Sequence, residues 1–245
     1  MTIISGAALA GCSTLSGPAV KGAIIPHHLF VEHHIDKFYA EISDPSIEKI
    51  ILISPDHFNH GFHYVRTHSE VLAEDSRIPN EHLNFEKEHG LTAHYAFLEK
   101  YFPKAELVEV MFKQGTPQEN LNKAVESLID LGLQHALVIG SIDFTHLEKE
   151  EIALKNDERT IDYLESWTAA PELAELNEYQ VSLGGEIEGA VAYDSSESLY
   201  VLGHLMAHQN SLHFELWERT SSGNIIPGLP AEDNTSHVFG TFSSN

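Results

Sequence analysis

Residues 49–57 read Lys-Ile-Ile-Leu-Ile-Ser-Pro-Asp-His (KIILISPDH), an apolar run closed by a proline with an aspartate and a histidine directly after it. An unbroken run of β-branched and aliphatic residues of this length suits a strand buried on both faces, as in a parallel sheet. Pro55 has no N–H to give to a strand ladder, so it ends the run and leaves His57 on a turn at the strand's carboxyl end. The same order of residues occurs upstream, where Gly22-Ala23-Ile24-Ile25 is followed by Pro26, His27 and His28. Between the two runs, Phe30, Ile35, Phe38, Tyr39 and Ile42 recur at helical spacing and mark a one-sided helix over 30–42. Strand, helix, strand at this spacing predicts a βαβ unit with parallel strands and a right-handed crossover.

The pattern continues along the chain. Helix is expected at 89–101 and strand at 106–112. A helix opens at Pro117 and runs to about Leu131, because proline suits a first turn. Ala136 to Ile142 (ALVIGSI) is the most strand-like segment, followed by helices near 148–166, 171–178 and 196–209. His213–Arg219 and Ser236–Phe242 are expected to close one edge as a hairpin. The stretches 59–87 and 221–235 read as irregular and as the rim of a pocket. Alternating strands and helices predict an α/β fold, a mostly parallel central sheet with helices on both faces. A single domain over 20–245 is expected, with residues 1–19 as a flexible lead-in.

Composition narrows the function. The 245-residue chain carries 14 Lys+Arg against 37 Asp+Glu, a net charge of −23 with histidine neutral. That surface repels phosphates and anionic lipid and disfavours a nucleic-acid or membrane-surface role. No apolar run approaches the length that spans a bilayer. Cys12 is the only cysteine, which excludes an intrachain disulfide and a cysteine-rich zinc site. Leu9-Ala10-Gly11-Cys12 has the look of a lipoprotein cleavage box, yet only Met1 and Thr2 precede its apolar core, and no positive n-region is present. A cytoplasmic protein is the expectation, and a lipid-anchored one if the true start lies upstream. Neither a Gly-rich phosphate loop nor a G-x-S-x-G elbow follows any strand.

Histidine is the informative excess, at 17 residues. In open α/β sheets ligands sit outside the carboxyl ends of the strands. Three apolar strands lead there into polar clusters: His27-His28, Asp56-His57 and Ser141-Ile142-Asp143-Phe144-Thr145-His146. Two imidazoles from different strand ends need one carboxylate to make a 2-His-1-carboxylate site with open positions, suited to Fe(II) with dioxygen or to zinc with a bound water. The structural alternative for each histidine is a turn residue bonded to backbone carbonyls. His28 is read as orienting a neighbour or lining the pocket.

GAIIPHH (22–28), KIILISPDHFNHG (49–61), KEHGLTAHYAFLEKYFP (87–103) and ALVIGSIDFTHL (136–147) follow in order the pattern of Memo-like proteins, often labelled AmmeMemoRadiSam system protein B. The chain resembles that family over roughly residues 20–243. The family is similar in fold to class III extradiol ring-cleaving dioxygenases, which use non-haem iron. The resemblance implies metal ligands at His27 and His57, and pocket positions at Glu88, His89, Ser141, Asp143, Phe144 and His146. The third ligand of the family is a cysteine just before a helix, in a Cys-Gly-x-x-Pro pattern. This sequence departs there: Tyr193-Asp194-Ser195-Ser196 precedes the helix, and the best register puts Asp194 at the cysteine.

A carboxylate in place of a thiolate moves the site toward the iron ligand set. Asp194 is equally a good helix N-cap, and Glu186 and Glu188 are the alternative carboxylates. Asp143 and His146, three apart, are expected on one first helical turn, with Asp143 orienting a ligand and His146 as acid/base. Glu88 and His89 are further candidates for catalytic roles, although Glu-Lys-Glu-His also suits a solvated helix start. Among the other histidines, His60 and His94 are the likeliest to join the pocket.

The resemblance thus implies a metal-binding protein with one transition-metal ion, Fe(II) first and zinc or copper next. It further implies an oxidoreductase acting on a small molecule. A zinc- or manganese-dependent hydrolase on the same residues, and a non-catalytic metal-binding or interaction protein, remain open.

Overall fold

The computed structural model describes residues 19–244; Cys12 and the Leu9–Cys12 segment lie outside the described residues. The strands are β1 (Val20–Ile25), β2 (Lys49–Pro55), β3 (Val65–Thr67), β4 (Glu106–Phe112), β5 (Ala136–Ser141), β6 (His213–Ser221) and β7 (Ser236–Ser243). They form one sheet in the order β3-β4-β2-β5-β1-β7-β6. Strands β4, β2, β5 and β1 are mutually parallel, and the edges are antiparallel: β3 on β4, and β7 with β6 beside β1. The predicted terminal hairpin therefore closes one edge. β3 is a strand the sequence reading did not expect, since three residues centred on an arginine carry no apolar periodicity.

The helices are α1 (Glu32–Ile42), α2 (His89–Thr92), α3 (Tyr95–Tyr101), α4 (Gln118–Asp130), α5 (Glu150–Glu165), α6 (Leu173–Ser182), α7 (Ser196–His208) and α8 (Ser222–Ile225). The strand residues alternate between two cores, because successive side chains point to opposite faces. Ile24, Ile51, Ile53, Val110 and Val138 pack with residues of α4, α5, α6 and α7. Ala23, Ile25, Leu52, Met111 and Ile139 pack with α1 and α3 on the other face. Each fully buried Ile or Val contributes about 1.5–3 kcal/mol of burial, so both layers are firmly held to the sheet.

One helix was expected at 89–101, and two are found. At His94 the backbone tightens, with its N–H donating to Leu91 O at 3.0 Å, and the chain turns the buried His94 ring inward before α3 begins.

α7 is buried over most of its circumference and sits against α4, α6 and the sheet. Its N-cap is Ser195, whose side chain accepts from Ser198 N–H at 3.0 Å. Gly203 lets this helix approach Pro171 closely: a Cβ there would lie 2.5 Å from Pro171 Cδ and 2.9 Å from the Trp167 ring. Neither neighbour is flexible, so Gly203→Ala is expected to cost about 1–3 kcal/mol of stability by overpacking, read as a lowered unfolding midpoint. An unchanged midpoint would mean that the helix can slide away from Pro171.

The register explains why the site forms. Ile25 pairs with Ser141, and Ile53 with Gly140, so β1, β5 and β2 end at one level. The residues just beyond, His27, His57 and Asp143, emerge side by side at the carboxyl edge of the sheet.

Candidate metal centre

His27 is buried on the turn after β1 and is fixed from two sides. Its backbone N–H donates to Asp143 Oδ1 at 3.2 Å, and its Nδ1 lies 3.0 Å from Ser141 Oγ. Behind it runs a buried chain of polar groups. Ser141 Oγ is also 3.0 Å from His94 Nε2, and His94 Nδ1 is 2.9 Å from the Tyr39 hydroxyl. This relay from the core to His27 holds the imidazole edge-on, with Nε2 facing the pocket. His94 thus supports the site, as one of the two histidines expected to join it. The helical spacing of Tyr39 marks it only as a core residue of α1, and periodicity carries no signal for such a link.

His57 is held by Glu88. The carboxylate accepts the His57 backbone N–H at 3.0 Å through Oε2 and meets His57 Nδ1 at 2.6 Å through Oε1, while also capping α2 by accepting from Gly90 N–H at 3.1 Å. Glu88 is therefore both the helix start and a pocket residue. A carboxylate on Nδ1 fixes the ring orientation and raises its basicity, the arrangement met behind metal-bound histidines.

Asp194 faces both imidazoles. Its Oδ2 lies 3.3 Å from His27 Nε2 and 3.7 Å from His57 Nε2. Its backbone is pinned to Asp143, donating to Asp143 O at 3.1 Å, and its Oδ2 accepts the Asp143 N–H at 3.3 Å. The helix cap that competed for this residue is supplied one position later by Ser195, so Asp194 is free of that duty. Its Oδ1 is buried and has no hydrogen-bond partner among the described residues. Glu186 and Glu188 are exposed outside this cluster, Glu186 lying 3.8 Å from Lys149 Nζ.

Asp143 Oδ2 is 3.4 Å from His27 Nε2. The helical turn expected for Asp143 and His146 is not formed, and α5 begins only at Glu150. The segment after β5 runs extended between two strand-like neighbours. Phe144 N–H donates to Ser236 O, His146 N–H to Val191 O at 3.0 Å, and Leu147 N–H to Asn234 O. These distant carbonyls satisfy the backbone that a helix would otherwise satisfy internally. His146 is half-buried, and its Nδ1 has no partner.

His89 stands at the mouth, its side chain 53% exposed and its ring 3.9 Å from that of His57. His27, His57 and His89 each offer a nitrogen within 4.8 Å of the others. His60 stacks on Phe58 and contacts Asn84, outside the cluster.

Electrostatics follow from this crowding. Burial, reinforced by the neighbouring His57 and His89, holds His27 well below the ordinary imidazole range and hence neutral. Burial also opposes charge on His57, but the hydrogen bonds to Asp194 and Glu88 outweigh it and push the group up to about 10. Burial and the charge of Asp194 push Asp143 well above the usual carboxylate range. Glu88 is pushed up by burial, and the hydrogen bond from His57 more than reverses this.

The donor set fits a metal ion. Two imidazole nitrogens and a carboxylate converge, a second carboxylate stands behind them, and one carboxylate oxygen is buried without a partner. A cavity of about 200 Å³ lined by His57, Asp194, Asp56, Asn59 and Glu197 opens beside the carboxylate. Two exposed rings flank the mouth, Phe58 edge-on to His89 and Phe30 edge-on to His28.

The family described as Memo-like protein matches residues 65–224 of this chain. A MEMO1 family protein of Caldivirga maquilingensis is 22% identical over 132 residues, which is 52% of this chain and 47% of that protein. The match thus spans about half the length of this relative.

Proposed function

The chain belongs to the Memo-like family, and on that premise we propose that His27, His57 and Asp194 hold one transition-metal ion, most suitably Fe(II), in an oxidoreductase that acts on an organic molecule. The observation that carries this is the placement of Asp194, within 3.7 Å of both Nε2 atoms and with its other oxygen buried and unpartnered. A 2-His-1-carboxylate set leaves coordination positions open, and Fe(II) held there supplies dioxygen chemistry of the type met in non-haem oxygenases.

The chain's own residues prepare the rest. Ser141 and Glu88 stand against the Nδ1 atoms of His27 and His57, which turns each Nε2 toward the pocket. His146, half-buried and with Nδ1 unpartnered among the described residues, is the residue to which this reading gives the acid/base role. Asp143 acts as a positioning residue, fixing His27 through its backbone and Asp194 through its own N–H. Phe58 and His89 bound the mouth and favour a substrate with an apolar portion.

A second reading rests on His89. Three imidazoles within reach of one another also suit zinc with a bound water, and hence a hydrolase. Turnover that persists without dioxygen would select it.

Anaerobic calorimetry with Fe(II) on the metal-free chain tests the proposal. Asp194→Ala is expected to weaken uptake by about two orders of magnitude, because a structural site's roughly 10–16 kcal/mol is spread over about four ligands. Ser195→Ala is expected to cost about 1 kcal/mol of stability as a lost cap and to leave Fe(II) affinity unchanged. Equal affinity in Asp194→Ala would return that carboxylate to a structural role. Glu88→Gln keeps the shape but removes the charge behind His57, and is expected to weaken Fe(II) binding about 10–100-fold; an unchanged affinity would reduce Glu88 to a helix cap.

A further inference from the structure

A second convergence of ligand atoms lies beside the first and uses different histidines. His28 Nδ1 and His237 Nε2 are 3.0 Å apart, and His28, Asp143 and His237 each offer one ligand atom within 4.8 Å of the others. His237 lies on β7, fully buried, and Asp143 is 3% exposed. His28 is half-buried on the turn after β1, with Ser222 Oγ 3.4 Å from its Nδ1 and the exposed Phe30 ring 4.8 Å from its own.

We propose that His28, Asp143 and His237 form a second metal site, for a borderline divalent ion such as Zn(II), Co(II) or Fe(II). Two imidazole nitrogens bound to one ion at about 2.0–2.1 Å stand about 2.9–3.4 Å apart at right-angled to tetrahedral angles. The observed separation falls in that interval. Two imidazoles and a carboxylate are the ligand types that select such ions over magnesium or calcium.

A plain hydrogen bond between the two rings accounts for the 3.0 Å contact alone; the carboxylate beside them, which also accepts the His27 backbone N–H, brings a third ligand atom that such a bond does not call for. That carboxylate also reaches the first cluster, with Oδ2 3.4 Å from His27 Nε2. Asp143 is therefore the residue common to both sites, and the two ions would be neighbours on either side of it. In such pairs one ion and its neighbour jointly stabilise charge that neither balances alone. This site goes beyond the function proposed above, which requires a single ion and none of His28 or His237.

The test is a count of bound Co(II) by elemental analysis after metal-free protein is loaded anaerobically and passed through a desalting column. The native chain is expected to retain two ions. His57→Ala, which touches only the first cluster, is expected to retain one. His28→Ala is also expected to retain one. His237→Gln serves as a second variant that keeps a polar group in the buried position, with circular dichroism confirming the fold of each. One ion in the native chain, lost in His57→Ala and kept in His28→Ala and His237→Gln, would overturn the second site and leave the first intact. One ion lost in His28→Ala but kept in His57→Ala would support the second site and remove the first. No retained ion would overturn both.

Discussion

His27→Ala is expected to lower the affinity for Fe(II) or Zn(II) by about two to three orders of magnitude, the largest effect of any single change at the site. The estimate follows from sharing the roughly 10–16 kcal/mol of a structural ion among its ligands, about 3 kcal/mol each. His27 is also the end of the Tyr39–His94–Ser141 relay, so its removal leaves the fully buried Ser141 hydroxyl with His94 as its remaining side-chain partner. A further loss of about 0.5–1.5 kcal/mol of stability in the metal-free chain is expected from that lost hydrogen bond. Competition against a chromophoric chelator reads the first effect, and urea unfolding of the metal-free form reads the second. Native affinity in the variant would show that the ion, if any, is held elsewhere.

Arg66→Met is expected to destabilise the chain by about 3–5 kcal/mol, the cost of stranding one member of a buried ion pair. Arg66 and Asp56 are both almost inaccessible, and Arg66 Nη2 donates to Asp56 Oδ2 at 2.5 Å. Arg66 also donates to Leu83 O at 2.8 Å and lies over the Phe85 ring. The pair ties the short edge strand β3 to the turn that carries His57, so the variant should lose metal affinity as well as stability. Adding Asp56→Leu should recover part of the stability, because the uncompensated carboxylate is then gone. Equal unfolding midpoints for Arg66→Met and the native chain would show that water reaches Asp56 and relieves it.

The parallel core was legible because β1, β2 and β5 carry unbroken apolar runs, two of which end at prolines, and because β4 is apolar but for Glu106 and the buried Glu109. β2, β4 and β5 needed nothing beyond their own residues to be recognised. β3 was not legible: its central residue is a buried arginine whose partner, Asp56, lies ten residues earlier on another element. The candidate site was legible in its strand-end histidines, since a proline that stops a strand leaves the turn after it, with His27 directly after Pro26 and His57 two residues after Pro55, at the carboxyl edge of the sheet.

The carboxylate beside the two histidines was harder to read. In Asp194-Ser195-Ser196-Glu197 any of the first three residues can cap a helix, and only three-dimensional placement assigns the cap to Ser195 and leaves Asp194 for the pocket. The extended course of 142–147 was hidden because its hydrogen-bond partners come from 191 and 234–236, far along the chain. The same long-range pairing brings His237 to His28 and Asp143. A lone histidine on the last strand gives no sign of this in sequence.

Anomalous diffraction from crystals of the chain loaded anaerobically with Fe(II) would test the central claim most directly. A peak at the iron edge is expected in contact with Nε2 of His27, Nε2 of His57 and a carboxylate oxygen of Asp194. A peak held by His27, His57 and His89 with Asp194 turned away, or no peak at that edge of the sheet, would contradict it.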